Sequence, residues 1–176
     1  SSGRFVDSIA ESVRASGLPP PDAIVGGVGT EIRRWPEGAE MEGWPRAENW
    51  SPETVRRVMA KYSSLELQPK KFLSRHKISY YGHDLTPDEL REMDEALAEA
   101  GVRARIVYSS SRDLDVLPEG IDKGTAAAFL ANAWGYSAEE VIVSGDSAND
   151  LAMFEQGFRG IVIANAHPEL KALSGE

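Results

Sequence analysis

The chain has 176 residues, which is enough for one domain or for a compact core with a small insert. Its formal net charge of −9 argues against general nucleic-acid binding, because phosphate backbones require a basic protein face. It contains no cysteine, which excludes disulfides and thiolate chemistry. It also has no apolar run of the roughly 20 residues that a membrane span needs. We therefore expect a soluble globular protein with no membrane partner.

The N-terminal third predicts helix, strand and helix in alternation. Apolar residues recur at helical spacing over residues 5–16, with Gly17 as a C-terminal cap, and a buried strand over residues 23–28 leads into a tight glycine-rich exit. Residues 35–50 hold three of the four tryptophans and predict an irregular, hairpin-like segment. Ser51 then opens a second helix as its N-cap, with proline in the first turn.

The middle of the chain has a different pattern. It predicts a strand over residues 76–81, a helix from the capping box at 86–89 to Gly101, and strands over 102–110 and 114–118. The strand over 102–110 alternates apolar and polar residues, which is typical of a sheet with one solvated face. This pattern predicts a small α/β lobe inserted into the core.

The C-terminal third returns to alternating helix and strand. A helix is predicted over 123–134, a short helix over 150–157, and strands over 141–144 and 160–164. Both strands are continuous apolar runs, which is typical of parallel strands covered on both faces. We therefore expect an α/β fold with a Rossmann-like parallel sheet, whose core comprises residues 1–62 and 119–176 around an inserted lobe at 63–118.

Two carboxylates stand at the exit of the strand over 141–144. Asp146 follows it closely, and Asp150 lies near the start of the next helix, with Ser147 and Asn149 between them. Ligands of parallel sheets bind beyond the C-terminal ends of the strands, and a set of oxygen ligands suits Mg²⁺. Helix capping is the competing explanation for one aspartate, but capping does not require two.

Lys123 opens the alanine-rich helix. A cation at a helix N-terminus opposes the macrodipole, so a nearby anion would explain its position. The alternative is a solvated surface lysine that pairs with Asp122.

Ser2, Gly3 and Arg4 precede the first helix. A small hydroxyl residue followed by glycine at a helix N-terminus forms a cradle of backbone N–H groups for phosphate. The alternative is an ordinary N-cap serine with a loop glycine, and the sequence does not separate the two.

Taken together, the segments SSGR, DKGTAAA and GDSANDLAMFE stand in the order of the motifs of haloacid-dehalogenase-like (HAD) phosphatases. The chain resembles the members that carry an inserted α/β cap (C2 type), and more closely the sucrose-6-phosphate phosphatase family. That closer resemblance rests on residues 21–32, 77–81, 104–118 and 159–170. The segments GGVGT and ARIVYSSSRDLD resemble those of mannosylfructose-phosphate phosphatase about as well.

The resemblance implies a role for each matching residue. Ser2 corresponds to the hydroxyl residue that hydrogen-bonds the transferring phosphoryl group, with Gly3 and Arg4 beside it. Lys123 corresponds to the lysine that neutralises nucleophile and phosphate. Asp146 and Asp150 correspond to the acids that hold Mg²⁺ directly or through water.

One departure from the family pattern is large. The nucleophile and general acid of the family belong to an Asp-x-Asp motif after an apolar N-terminal strand, and no such motif precedes Ser2. Residues 112–117, RDLDVL, contain an Asp-x-Asp sequence, but they fall within the inserted lobe. We therefore expect this chain to be a fragment that lacks its N-terminal strands and is inactive alone.

Charged residues that resemble sugar-contacting positions complete the predicted site. Glu31, Lys77, Asp113 and Asp115 are candidates for bonds to sugar hydroxyls, and each has an alternative as a solvated charge or surface ion pair. The tryptophans of the irregular segment are either sugar-stacking residues or anchors of a long loop.

Two functional hypotheses follow. The first is a cytoplasmic, Mg²⁺-dependent phosphatase that hydrolyses a phosphorylated disaccharide, most simply sucrose 6-phosphate. The second is a non-catalytic phosphatase-like domain attached to a sucrose-phosphate synthase glycosyltransferase. A broad-specificity sugar-phosphate phosphatase of the same fold is a third alternative.

Overall fold

A computed structural model describes residues 2–45, 47–147 and 150–174. The chain divides into two compact units. The first comprises Ser1–Trp44 and Asp122–Glu176, and the second comprises Pro45–Ile121.

The first unit contains four helices and four strands among its described residues. They are α1 (Val6–Ser16), β1 (Ala23–Gly26), β2 (Glu31–Arg34), α4 (Lys123–Ala133), β7 (Ile142–Gly145), α5 (Leu151–Phe154), β8 (Arg159–Val162) and α6 (Pro168–Lys171). β7 and β8 pair in parallel, as the apolar runs predict. β1 instead pairs antiparallel with β2, whose first two residues, Glu31 and Ile32, were predicted to belong to the loop that leaves the strand over 23–28.

The second unit is a four-stranded antiparallel sheet with two helices. They are α2 (Pro52–Met59), β3 (Glu66–Leu67), β4 (Ile78–Tyr81), α3 (Pro87–Glu99), β5 (Ala104–Ser109) and β6 (Asp113–Pro118), with strand order β3-β4-β6-β5. The capping box at Thr86 and Glu89 opens α3 as predicted.

Helix α2 belongs to the second unit, whereas the predicted division at residue 62 placed it in the core. The reason is its apolar face, because Val55, Val58 and Met59 are buried in one cluster with Met93 and Leu97 of α3. The second unit therefore starts at Pro45 and ends at Ile121, compared with the predicted 63–118.

The prediction that the strands at 141–144 and 160–164 are covered on both faces is wrong for the described residues. Ile142 is 62% exposed and Ile161 is 54% exposed. Within the first unit, a groove of about 530 Å³ lies between β1 and β7, with α4 along it. Apolar runs indicate strands that need cover, but no described residue supplies that cover here.

Among residues 2–45, 47–147 and 150–174, no helix combines the length and apolar character that crossing a bilayer requires.

Candidate active site

The exit of β7 forms a turn that closes on the Asp150 carboxylate. Oδ2 of Asp150 accepts hydrogen bonds from the backbone N–H of Asp146 and Ser147, both at 3.1 Å, and from the Ser147 hydroxyl at 3.0 Å. Gly145 makes this possible, since a Cβ at that position would lie 2.5 Å from Cβ of Asp150. Asn149, named with this polar group in the sequence analysis, lies outside the described residues.

Lys123 supplies the opposite charge. Its Nζ donates to Oδ1 of Asp150 at 2.6 Å, and the two side chains are only 5% and 7% exposed. Because Lys123 is buried, the alternative of a solvated surface lysine is wrong, and Asp122 caps α4 through Thr125. The position of Lys123 at a helix N-terminus predicted a nearby anion, and the Asp150 carboxylate is such an anion.

A glycine contact between helices brings this pair together. A Cβ on Gly124 would lie 1.9 Å from the Ala152 carbonyl oxygen, so α4 and α5 touch backbone to backbone at this point. Because Lys123 and Asp150 flank that contact, their side chains meet over it.

The ion pair controls the protonation of Asp150. Burial alone raises the pKa of its carboxyl, but the hydrogen bond and charge of Lys123 and the N–H groups of Asp146 and Ser147 outweigh this effect. The pKa of Asp150 therefore lies below its ordinary value of 3.8. Asp150 is a carboxylate at neutral pH, while the side chain of Asp146 is exposed.

Ser2 is held at the C-terminal end of β1. Its N–H donates to the Val25 carbonyl at 3.1 Å, and its own carbonyl accepts from Val28 at 3.1 Å. The Ser2 hydroxyl accepts from the N–H of Arg4 at 3.1 Å. Gly3 lies beside Val28, since a Cβ built on it would be 3.9 Å from that side chain.

Arg4 and Glu31 contact helix α1. The Arg4 guanidinium lies along the helix and donates to Ser8 and Ser12. Glu31 accepts from the N–H of Val6 at 3.3 Å, which satisfies one backbone donor at the start of a helix whose N-cap residue makes no side-chain cap bond.

The three sugar-contact candidates of the second unit lie on one face of its sheet. Lys77 Nζ is 2.9 Å from Asp115 Oδ1 and 2.8 Å from the Ser79 hydroxyl, which in turn donates to Asp115 at 2.6 Å. Lys77 is 6% exposed, so the alternative of a solvated or surface charge is wrong for this residue.

Asp113 extends this polar face. It accepts from the amide of buried Gln68 at 3.0 Å and pairs with the Arg112 guanidinium at 2.9 Å. Gln68 and Ser79 were missed by the sequence analysis. A lone glutamine before a proline and a serine inside an apolar strand carry no signal of their own.

Lys123, Asp146 and Asp150 are thus brought together in the first unit. Ser2 is linked to them through its backbone bonds to β1 and to the turn after β1. Lys77, Asp113 and Asp115 are brought together in the second unit. Asp113 and Asp115 lie on β6 itself, so RDLDVL is a sheet strand rather than a motif that follows one.

The donor set of the first unit suits a hard cation. Among the described residues no group of three or more histidines, cysteines and acids could enclose a metal. Mg²⁺ needs fewer, because it usually keeps several waters and binds one or two carboxylates together with substrate phosphate. Asp146, whose side chain is exposed, and Asp150 would hold the ion directly or through water.

The tryptophans of the irregular segment make structural contacts. Trp44 donates to the Gly29 carbonyl and packs on Phe129, and Trp50 donates to the Arg75 carbonyl at 2.8 Å. Their indole groups therefore anchor loops, as the second of the two alternatives proposed.

Comparison with known proteins agrees with the predicted resemblance. The mannosylfructose-phosphate phosphatase of Agrobacterium fabrum (strain C58) is 37% identical over 98% of this chain and 71% of its own. Sucrose-phosphatase 1 of Nicotiana tabacum is 32% identical over 97% of this chain. The chain spans only 42% of the length of that tobacco protein.

The fold comparison points the same way. The sucrose-phosphatase of Synechocystis sp. PCC6803, solved with sucrose and phosphate, superposes with a TM-score of 0.87 at 30% identity, covering 99% of this chain and 72% of that one. The model of the family described as sucrose-6F-phosphate phosphohydrolase matches residues 1–175. The chain therefore belongs to the sucrose-6F-phosphate phosphohydrolase family, within the HAD-type hydrolases.

Proposed function

We propose that the protein containing this chain is an Mg²⁺-dependent phosphatase that hydrolyses a phosphorylated disaccharide, with sucrose 6-phosphate as the first candidate. The observation that carries the proposal is the buried Lys123–Asp150 pair beside exposed Asp146. Two acids and a lysine at the end of a parallel strand form a site whose charges favour a cation and a phosphate together.

Each residue has a role in this proposal. Lys123 neutralises charge on the phosphoryl group, and Asp150 keeps its ammonium charged and oriented. Asp146 and Asp150 hold Mg²⁺, which supplies Lewis-acid stabilisation of the phosphate oxygens when bound. Ser2 and Gly3 contact the phosphoryl group from the end of β1, and Arg4 contributes through its backbone because its guanidinium is bonded to Ser8 and Ser12.

The sugar is assigned to the remaining predicted residues. Lys77, Asp113 and Asp115 form a pre-ordered polar face, and such a face recognises hydroxyl groups through oriented donors and acceptors. Glu31 is the corresponding candidate in the first unit. The nucleophile of an aspartyl-phosphate mechanism is assigned to none of these residues.

Mannosylfructose phosphate is the second candidate substrate. It is favoured by the 37% identity to an enzyme of that name. Both substrates are phosphorylated disaccharides, so the choice between them does not alter the roles assigned to Lys123 and the acids.

The test is phosphate release by the full-length protein from sucrose 6-phosphate, mannosylfructose phosphate and glucose 6-phosphate, with Mg²⁺ and with chelator. We expect turnover of one disaccharide phosphate that needs Mg²⁺ and falls at least about 100-fold in Asp146→Asn. Exposed Asp94→Asn on α3 is the control and retains activity. Absence of turnover on both disaccharide phosphates would overturn the proposal, and equal rates on all three would favour a broad-specificity phosphatase.

A further inference from the structure

The turn after β1, residues 26–30 (GGVGT), contacts two parts of the proposed site. On one side, Gly27 donates to the Arg4 carbonyl at 2.8 Å and Val28 donates to the Ser2 carbonyl at 3.1 Å. On the other side, Gly29 lies against the start of α4, where an added Cβ would be 2.2 Å from the Asp122 carbonyl oxygen and 2.9 Å from the Lys123 nitrogen. The turn therefore joins the backbone of Ser2 to that of Lys123.

The backbone of this turn is unusual. Gly27, Val28 and Gly29 have φ values of 58°, 61° and 103°, three successive residues in the left-handed region. A β-branched residue such as Val28 rarely adopts this conformation, and its strain must be offset by the surrounding contacts. Val28 is 2% exposed and Thr30 is 1% exposed, and the Thr30 hydroxyl closes the turn on the Gly27 carbonyl at 2.9 Å.

Trp44 holds the turn against α4. Its indole N–H donates to the Gly29 carbonyl at 2.9 Å, and its ring packs on Phe129 of α4 with centroids 5.1 Å apart. The Trp44 side chain thus contacts both the turn and the helix that carries Lys123.

We propose that the turn at 26–30, gripped by Trp44, positions Ser2 and Lys123 relative to one another, so that Gly29 and Trp44 are positioning residues of the phosphate site. The inference rests on the proposed function for the roles of Ser2 and Lys123. Its structural part, that the turn sets the position of Lys123, can be measured without any activity.

The first test compares two glycine variants of the full-length protein. Gly29→Ala places a methyl group on the Asp122 carbonyl, whereas Gly38→Ala, at φ 71° with nothing within 4 Å, carries a similar backbone cost without a collision. We expect Gly29→Ala to lower kcat about 100-fold while KM changes far less, because a displacement of about 1 Å in positioned groups has that effect. Gly38→Ala should keep both values.

The second test guards against a Gly29 variant that does not fold. Trp44→Phe keeps an aromatic ring against Phe129 but removes the bond to Gly29. Trp50→Phe removes a matched indole-to-carbonyl bond from the second unit. We expect kcat to fall about tenfold in Trp44→Phe and to stay unchanged in Trp50→Phe.

The readout that separates the two proposals is the NMR signal of the Lys123 ammonium group. We expect its ¹H and ¹⁵N shifts to move in Gly29→Ala and Trp44→Phe, and to stay in place in both controls. Unchanged Lys123 shifts, or normal kcat in folded Trp44→Phe, would overturn the positioning role. If the unaltered protein hydrolyses no sugar phosphate, the proposed function falls, and the Lys123 shifts alone decide this inference.

Discussion

Lys123 and Asp150 each occupy a position that is unfavourable for a single charge. A buried lysine or carboxylate loses its hydration, and only a partner in good geometry compensates for that loss. Here the partner is 2.6 Å away, and the second carboxylate oxygen is bonded to backbone N–H groups. Lys123 and Asp150 therefore form an ion pair whose geometry compensates for the hydration that both charges lose.

We expect Asp150→Asn to lower the free energy of unfolding by about 3 kcal/mol at pH 7, because it leaves the Lys123 charge buried without a counter-charge. The folded pKa of Asp150 is depressed, so its contribution is present above the ordinary value of 3.8 and is lost as pH falls through the folded pKa. Urea unfolding from pH 7 to pH 2 should show the difference between the two proteins narrowing as the pH falls below 3.8. A constant difference over that range would contradict the assignment.

The buried hydroxyl of Tyr80 lowers the stability of the fold. Burial raises its pKa to about 12, partly countered by Arg56, and among the described residues its buried hydroxyl has no hydrogen-bond partner. We expect Tyr80→Phe to be neutral or to stabilise by up to about 1 kcal/mol.

Tyr108→Phe is the matched control for Tyr80→Phe. The Tyr108 hydroxyl donates to Gly82 and accepts from Leu85, so its removal should destabilise by about 1 kcal/mol. The raised pKa adds a pH test: the unfolded state releases the Tyr80 proton first, so the unaltered protein should lose stability between pH 10 and about 12 more steeply than Tyr80→Phe. Equal loss in chemical denaturation of both phenylalanine variants would refute this account.

The sheet of the second unit is the clearest case at the scale of elements. Its strands β4 and β6 pair side by side, and the sheet they form has two different faces. The apolar face packs on α2 and α3, and the polar face carries Lys77, Ser79 and Asp115. Registry decides which residue belongs to which side, because successive side chains in a strand alternate. The polar side is therefore a consequence of pairing Ser79 with Asp115.

We expect Lys77→Met to destabilise the protein by about 3 kcal/mol, since it leaves the largely buried Asp115 carboxylate unpaired. Arg103→Met is the control, because the Arg103–Glu119 pair has a shorter contact of 2.6 Å but side chains that are 59% and 53% exposed. Breaking that pair should cost less than about 1 kcal/mol. Thermal and urea unfolding measure both, and similar losses in the two variants would show that burial does not decide the effect.

For the molecule as a whole, the open groove of the first unit matters most. Large apolar side chains that line it are exposed, namely Trp134, Tyr136 and Ile142. A contiguous apolar surface binds other apolar groups, whereas a single exposed leucine is common and harmless.

We expect the 176-residue chain to bind the dye ANS in its folded state, and the double substitution Tyr136→Thr with Ile142→Thr to reduce the fluorescence. Leu18→Thr is the control: Leu18 is 68% exposed but stands away from the groove. Fluorescence that is unaffected by the double substitution, or lowered equally by Leu18→Thr, would rule out the groove as the binding surface.

Local sequence patterns predicted most of the helices and strands. They failed where an element depends on contact with a distant segment of the chain. Helices α1, α3 and α4 follow from caps and apolar spacing, which act over a few residues. Strand β2 was missed because its four residues, EIRR, become a strand only by pairing with β1. Helix α2 was predicted correctly, but its place in the second unit depends on contact with α3.

By itself, the sequence determined the family, the order of most elements and the identity of the candidate residues, because motif spacing and helical periodicity are local properties of the chain. Only the tertiary structure decided that Lys123 meets Asp150 across 27 residues, that Lys77 is buried against Asp115, and that the GGVGT turn bridges Ser2 and Lys123. These are contacts between distant segments, and their energies depend on burial, which no local pattern specifies.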